Sequence, residues 1–160
     1  MKVVVLSDSH TDSIDELPKR IVDELSGADM VIHAGDYTGE SLLGKLQKLR
    51  NFKGVHGTLD PPIIKRDLPA LETVAVGGFR VGINHPSEGG SPLGIEERIG
   101  ARFQRVDAIV FGHTHKAKKE YRGGVLYFNP GSVTGTFPAS GRTFGIITVG
   151  KELAGEILKV

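Results

Sequence analysis

The chain has 160 residues, 39% of them hydrophobic and 24% charged, with a formal net charge of +1 at pH 7. This length and composition are typical of a globular protein, and we predict a single domain over residues 1–160. The small charge provides no basic surface for nucleic acid or an anionic membrane. The absence of cysteine excludes disulfides, thiol nucleophiles and cysteine-bound zinc. No apolar segment approaches the length of a membrane span or a signal-peptide core, so a cytoplasmic location is expected.

The first predicted strand is the apolar run 3–6, which is followed at once by Ser7-Asp8-Ser9-His10. A carboxylate and an imidazole here would lie at the carboxyl end of a buried strand, which is where α/β sheets bind ligands. Both groups are metal ligands. The same residues could instead form a turn in which Asp8 simply ends the strand. This segment alone supports the two interpretations about equally.

Two further strands in the first half of the chain end in an aspartate. The pattern Ser13-x-x-Glu16 resembles a capping box, and the apolar spacing that follows predicts a helix over residues 14–26. The strand predicted over 30–34 ends in Gly35-Asp36. A second helix carries Leu42, Leu43, Leu46 and Leu49, and a third strand over 52–56 ends in Gly57-Thr58-Leu59-Asp60. Packing alone does not predict an aspartate at every strand end.

The second half of the chain is richer in predicted strands. Strands over 73–76 and 79–83 flank Gly77-Gly78 as a hairpin, and the second of them ends in Asn84-His85. Ser91-Pro92 is typical of a helix start, and that helix would carry Leu93, Ile95, Ile99 and Phe103. The strand over 108–111 ends in Gly112-His113-Thr114-His115. Short strands over 117–122, 125–128, 143–149 and 153–159 follow.

Polar side chains therefore follow five predicted strands, and together they predict a metal centre at one edge of a sheet. Its candidate ligands are two aspartates and four histidines: Asp8, His10, Asp36, His85, His113 and His115. Such a set is large enough for two divalent ions, with one carboxylate to bridge them. Two metals about 3.5–4 Å apart are the usual arrangement for displacement at phosphorus. His33 and His56 precede their turns, so we interpret both as structural.

The motifs Asp8-x-His10, Gly35-Asp36, Gly57-Thr58-x-Asp60, His85 and Gly112-His113-Thr114-His115 resemble those of the calcineurin-like metallophosphoesterases. The short chain and the later Asn129-Pro130-Gly131-Ser132 resemble the compact phosphodiesterase branch. The resemblance implies a four-layer α/β/β/α sandwich of two mixed sheets flanked by helices. It also implies a first site of Asp8, His10, Asp36 and His115. The second site would consist of Asp36 as the bridge, His85, His113 and the residue at position 58.

Family members usually work with Mn²⁺, and Fe, Ni or Zn is also found, so the resemblance implies two such ions here. The expected reaction is hydrolysis of a phosphate ester by in-line attack of a hydroxide that bridges the ions. We assign catalytic roles to the bridge Asp36, to His113 and to Asp60. Asp60 would orient a ligand histidine, and the less favoured alternative is a turn residue before Pro61. The expected substrate is a small phosphoester, and a homodimer remains open.

Three positions depart from the family pattern. Thr58 stands where the family has Asn, which removes a carbonyl ligand from the second metal. Leu59 stands where some larger relatives have a histidine that protonates the leaving group, and its loss favours diesters or activated leaving groups. His85-Pro86-Ser87 replaces the common His-Gly-His. The first site therefore has all the ligands of the family pattern, whereas the second lacks the Asn carbonyl.

Two other functions compete with a phosphodiesterase. A retromer subunit resembles these enzymes but serves mainly as a protein scaffold, and Thr58 favours that alternative. Retention of the other ligand positions favours an enzyme, because a scaffold has no need of four histidines and two aspartates. A nuclease would share the chemistry but would need a basic groove. The lysines of the segment 116–122 are typical of a solvated strand edge.

Overall fold

The computed structural model describes residues 1–86 and 93–160. Its strands are β1 (Lys2–Leu6), β2 (Met30–His33), β3 (Phe52–Gly54), β4 (Leu71–Val76), β5 (Phe79–Asn84), β6 (Ala108–Phe111), β7 (Lys118–Arg122), β8 (Val125–Asn129), β9 (Thr143–Val149) and β10 (Leu153–Lys159). Its helices are α1 (Lys19–Ser26), α2 (Glu40–Leu46), α3 (Pro62–Asp67) and α4 (Ile95–Gly100). None of the helices within the described ranges is long and apolar enough to span a membrane.

The strands form two five-stranded mixed sheets, ordered β10-β9-β1-β2-β3 and β4-β5-β6-β8-β7. Strands β1, β2 and β3 are parallel, and so are β5, β6 and β8, while the outer pairs are antiparallel. The parallel strands consequently bring the ends of β1, β2 and β3 to one edge of the first sheet. The ends of β5 and β6 meet in the same way in the second sheet.

Three apolar cores define the layers. The largest lies between the two sheets, where Val5 and Ile32 of one sheet belong to the same buried cluster as Val81 and Val110 of the other. A second core packs α1, α2 and α3 on the outer face of the first sheet, and a third packs α4 on the second sheet. The predicted four-layer α/β/β/α fold of two mixed sheets flanked by helices is thereby confirmed.

The predicted first helix is wrong in its extent. Residues Ile14–Glu16 form a single 3-10 turn, and α1 begins only at Lys19. Pro18 explains the break, because proline forces the residue before it out of the helical region, and Leu17 indeed has ψ of 142°. The capping box is also absent, since the Ser13 hydroxyl accepts from the N–H of Asp15 and Glu16 contacts the Thr11 hydroxyl.

Other differences are smaller. Helix α3, directly after the double proline, was not predicted, although proline in the first turn is a helix-start signal. Helix α2 ends at Leu46, and β3 ends at Gly54, so Leu49 and His56 lie outside the elements to which they were assigned. The predicted helix start at Ser91-Pro92 lies outside the described residues, and α4 is described from Ile95 to Gly100.

Candidate metal centre

The loop after β1 runs beside the loop after β2 and extends their parallel pairing. The N–H of Asp8 donates to the Gly35 carbonyl at 3.0 Å, and the N–H of His10 donates to the Asp36 carbonyl at 3.1 Å. These hydrogen bonds lock the two loops together just beyond the sheet. The side chains of Asp8, His10 and Asp36 are thus presented at the same edge.

The residues assigned to the first site converge on one point. Their ligand atoms, from Asp8, His10, Asp36 and His115, all lie within 4.8 Å of one another. The Nε2 atoms of His10 and His115 lie 3.1 Å apart, and His115 Nε2 lies 3.2 Å from Asp8 Oδ1. Two imidazole nitrogens and a carboxylate oxygen at such distances surround a space of the kind that a cation occupies.

The second site adjoins the first through Asp36. Its Oδ2 lies 3.9 Å from His10 Nε2 on one side and 3.4 Å from His85 Nε2 on the other. The ring of His113 packs edge-on against His85, with ring centroids 5.4 Å apart. One oxygen of Asp36 therefore lies between the histidines of the two sites, which is the placement that a bridging carboxylate requires.

Thr58 lies on a loop that wraps around Asp36. The N–H of Leu59 donates to Asp36 Oδ1 at 2.8 Å, and a side chain at Gly57 would collide with the same oxygen. The Thr58 hydroxyl between them is buried and has no hydrogen-bond partner among the described residues. The structure thus places Thr58 beside Asp36 with an unsatisfied oxygen.

Backbone carbonyls fix the orientation of two ligand histidines. His85 Nδ1 lies 2.7 Å from the Ala34 carbonyl, and His115 Nδ1 lies 2.9 Å from the Thr136 carbonyl. A carbonyl only accepts, so each Nδ1 carries a proton and each Nε2 is turned towards the centre. Hydrogen bonds of this kind normally orient metal-bound histidines.

Five of the six Asp and His candidates adopt left-handed backbone conformations. Asp8, His10 and Asp36 have φ of 51°, 45° and 59°, and His113 and His115 have 79° and 57°. For residues other than glycine, this backbone conformation costs roughly 1–2 kcal/mol of conformational free energy. Such strain is typical of functional sites, where the surrounding structure enforces it. Here the paired loops after β1 and β2 supply much of that enforcement.

Buried hydroxyls that the sequence interpretation missed hold the Asp8 loop. The Ser7 hydroxyl donates to Asp8 Oδ2 at 2.6 Å, and the N–H of His113 donates to both carboxylate oxygens, at 3.2 Å to Oδ1 and 3.1 Å to Oδ2. Oδ1 also faces His115 Nε2. The Ser132 hydroxyl donates to the Asp8 carbonyl, and the Thr134 hydroxyl donates to the Ser9 carbonyl, each at 2.8 Å. The only sequence signal was Ser132 in the Asn-Pro-Gly-Ser motif, since contacts across more than 120 residues leave no local pattern.

Asp60 has different partners from those expected. Its carboxylate accepts four backbone N–H groups, from Gly57 and from each residue of the segment 36–38, at 2.7–3.0 Å. None of these partners is a histidine. The side chain therefore acts on the bridge through the backbone, because it clamps the loop that carries Asp36.

The ionisation of the histidines reflects their surroundings. Burial lowers the pKa of His10 and of His113. Burial also opposes protonation of His85, but the carboxylates of Asp36 and Asp8 raise its pKa overall. The hydrogen bond to Asp8 raises the pKa of His115 to about 9. His115 thus carries a proton at neutral pH whenever no cation takes its place.

His33 and His56 lie outside this cluster. His33 is fully buried, and burial lowers its pKa to about 3. The N–H of Gly35 donates to its Nδ1 at 3.2 Å, so its Nε2 carries the proton and donates to the Ser9 hydroxyl at 2.6 Å. The imidazole of His56 lies 3.4 Å from the Gly57 carbonyl. His33 is a neutral core residue that supports the Ser9 loop.

The donor set fits divalent cations. His85 Nε2 is buried without a hydrogen bond, and its 3.4 Å separation from Asp36 Oδ2 is a charge contact only. Leaving a buried nitrogen unpaired costs free energy unless a ligand completes it. Carboxylate and imidazole donors together suit Mn²⁺, Fe²⁺, Ni²⁺ and Zn²⁺.

Comparisons with known proteins agree with this geometry. The family model described as "Calcineurin-like phosphoesterase superfamily domain" matches residues 1–152. A protein of Methanocaldococcus jannaschii named "Probable metallophosphoesterase" is 33% identical over 137 residues, which are 84% of this chain and 69% of that protein.

Solved structures share the fold across the whole chain. The Thermotoga maritima protein TM1076 superimposes with a TM-score of 0.76 at 30% identity, over 99% of each chain. Vps29 of Entamoeba histolytica, solved in complex with Zn²⁺, superimposes with a TM-score of 0.73 at 24% identity, again over 99% of each chain. At that identity the second likeness concerns the fold alone.

Proposed function

Because the chain belongs to the calcineurin-like phosphoesterase superfamily, we propose that it is a phosphodiesterase that depends on two divalent metal ions. The observation that carries the proposal is the position of Asp36 Oδ2, 3.9 Å from His10 Nε2 and 3.4 Å from His85 Nε2. A carboxylate oxygen shared by two groups of imidazoles is the arrangement that a dinuclear centre requires.

Each side chain has a definite task in this proposal. Asp8, His10 and His115 hold the first ion, His85, His113 and Thr58 hold the second, and Asp36 bridges the two. When bound, the ions supply an activated water nucleophile and neutralise the charge that develops on the phosphate. Asp60 keeps Asp36 in place through the backbone of 36–38. Mn²⁺ is the metal we propose, with Fe, Ni or Zn as alternatives.

The preference for diesters rests on the resemblance to the compact phosphodiesterase branch, and a preference for activated leaving groups rests on Leu59. Its side chain is 63% exposed beside the centre, and its N–H is bonded to Asp36. An aliphatic side chain at this position cannot give a proton to a departing alkoxide. The reaction therefore favours substrates whose leaving group is stable without a proton, such as aryl esters.

The test is hydrolysis of bis(p-nitrophenyl) phosphate compared with p-nitrophenyl phosphate, after metal removal and reconstitution with Mn²⁺. The leaving group is identical in the two compounds, so the ratio reports on the diester preference alone. We expect no turnover without metal and a higher kcat/KM for the diester with it. Turnover that is insensitive to chelation would contradict the metal assignment, and a higher rate on the monoester would contradict the diester preference.

The alternative function is a protein-binding scaffold on the same fold. The unpaired Thr58 hydroxyl, where an amide ligand is expected, favours it. Under this alternative the first site would still bind a metal ion, but no turnover would appear at millimolar Mn²⁺. Restoring the amide with Thr58→Asn separates the two functions. An enzyme has measurable turnover before the substitution and higher turnover after it, whereas a scaffold has no turnover before it.

A further inference from the structure

A groove leaves the metal centre on the side of His113. The first part is a cavity of about 240 Å³ lined by His113, Thr114, Lys116 and Pro138. The second part, of about 330 Å³, shares Thr114 and Lys116 with the first and is continued by Leu93, Ile95, Glu96, Phe111, Ala117 and Lys118. We call these residues, apart from His113, the outer groove. Because His113 is a proposed ligand, a phosphate at the centre would lie at the groove's inner end.

The outer groove has an apolar body and one available cation. Leu93 is 82% exposed, and Ile95, Ala117 and Pro138 add further apolar lining. Lys116 is exposed, and no ion pair with a carboxylate is found for it among residues 1–86 and 93–160. The neighbouring Lys118, by contrast, pairs with Glu96 and with Glu120. Lys116 is therefore the lysine of this groove that is free to meet an anion.

We propose that the outer groove is the subsite for the second organic group of a phosphodiester, and that Lys116 selects groups carrying an additional negative charge. This inference rests on the proposed phosphodiesterase function and adds to it a class of substrate. That class consists of diesters with an apolar or ring-bearing group that also carries a phosphate or carboxylate. Pockets of this size, apolar with few charged groups, are typical of small-ligand sites.

The charge of Lys116 determines the size of the expected effect. An exposed ion pair contributes at most about 1 kcal/mol, which corresponds to roughly a fivefold preference in kcat/KM. Reversing the charge replaces attraction by repulsion and so abolishes or inverts that preference. Salt at high concentration should weaken it in the wild-type protein, because the contact is open to solvent.

The test uses two chromogenic diesters that differ by one phosphate, thymidine 5′-(p-nitrophenyl phosphate) with and without a 3′-phosphate. We expect the wild-type protein with Mn²⁺ to prefer the 3′-phosphorylated compound roughly fivefold in kcat/KM. Lys116→Glu should remove or invert the preference. The matched control is Lys119→Glu, which changes the net charge equally but alters an exposed lysine outside the groove. It should retain the preference.

Each outcome has a separate meaning. Equal kcat/KM for the two compounds in the wild-type protein, or the same ratio in Lys116→Glu as in Lys119→Glu, would overturn the subsite. A loss of preference in both variants would show an effect of net charge and would overturn it too. Absence of turnover on bis(p-nitrophenyl) phosphate in the wild-type protein would instead overturn the proposed phosphodiesterase, whatever the groove binds.

Discussion

The two halves of the metal centre differ in how firmly their ligand side chains are held. In the first site, Ser7 binds the outer oxygen of Asp8, and the Thr136 and Phe137 carbonyls bind His115 Nδ1. In the second site, the Ala34 carbonyl binds His85 Nδ1, but no such partner is found for the His113 ring among the described residues. The Thr58 hydroxyl has none among the described residues. The first site is thus arranged in advance by the protein, whereas the second depends more on the metal to arrange it.

Removing the charge of the shared ligand Asp36 should weaken metal binding at both sites. Asp36→Asn keeps the shape of the side chain but removes its charge, so we expect turnover to fall by at least about a hundredfold. Metal content should decrease at both sites, as measured by elemental analysis after dialysis. Asp67→Asn, an exposed aspartate of α3, serves as the control. Near-normal turnover in Asp36→Asn would refute the bridging role.

Removing the Ser132 hydroxyl should weaken metal binding at the first site alone. Ser132 links the Asp8 carbonyl to the N–H of Thr136, whose own carbonyl orients His115. Ser132→Ala should therefore weaken metal binding at the first site by about 10–100-fold. In a calorimetric titration with Mn²⁺, the dissociation constant of the tighter site should increase towards that of the weaker site.

The control for this experiment is Ser140→Ala, which alters an exposed serine in the same region of the chain. A lower melting temperature of Ser132→Ala with unchanged metal affinity would assign the hydroxyl a purely structural role. Ser132→Thr retains the hydroxyl, so we expect it to recover most of the affinity.

Adding a ligand should strengthen the second site. Thr58→Asn provides a carbonyl oxygen in place of a weak neutral hydroxyl, and we expect roughly tenfold tighter binding of the second ion. The Mn²⁺ concentration that gives half-maximal activity should fall accordingly, and turnover should rise. An unchanged metal dependence would remove Thr58 from the second site. A wild-type protein that stays inactive at millimolar Mn²⁺, beside an active variant, would favour the scaffold alternative.

The affinity of the first site for a cation should also depend on pH. Asp8 raises the pKa of His115 to about 9, so an ion that binds at pH 7 must displace a proton. Apparent affinity should therefore increase by up to about tenfold per pH unit between pH 7 and 9 and level off above that. Calorimetry in buffers of different ionisation enthalpy should detect release of about one proton. Release of none would show that His115 is already neutral.

The sequence was sufficient to predict which candidate ligands lie together in the structure, because strand ends leave a local pattern. Short apolar runs ending in Asp8, Asp36 and His113 are visible residue by residue, and parallel pairing then brings them to one edge. The same reasoning correctly kept His33 apart, since it precedes the turn and is fully buried.

Long-range support was not predictable. The contact between Ser132 and Asp8 spans 124 residues, and the partners of Asp60 are backbone groups that have no residue type to recognise. The break before α1 and the start of α3 were different, because Pro18 and Pro62 are local signals for them in the sequence. Those two differences were errors of interpretation.

The left-handed backbone of the ligand residues also determines which substitutions can remove a ligand without destabilising the fold. Glycine and asparagine tolerate positive φ, whereas alanine does not escape the strain at positions such as His10, with φ of 45°. An alanine variant would lose the ligand yet keep the backbone penalty. A glycine variant would lose the ligand and release part of that penalty, so it could unfold at a higher temperature than the metal-free parent. Variants that remove a ligand of this centre are therefore better made with glycine, so that lost activity is not confused with a damaged fold.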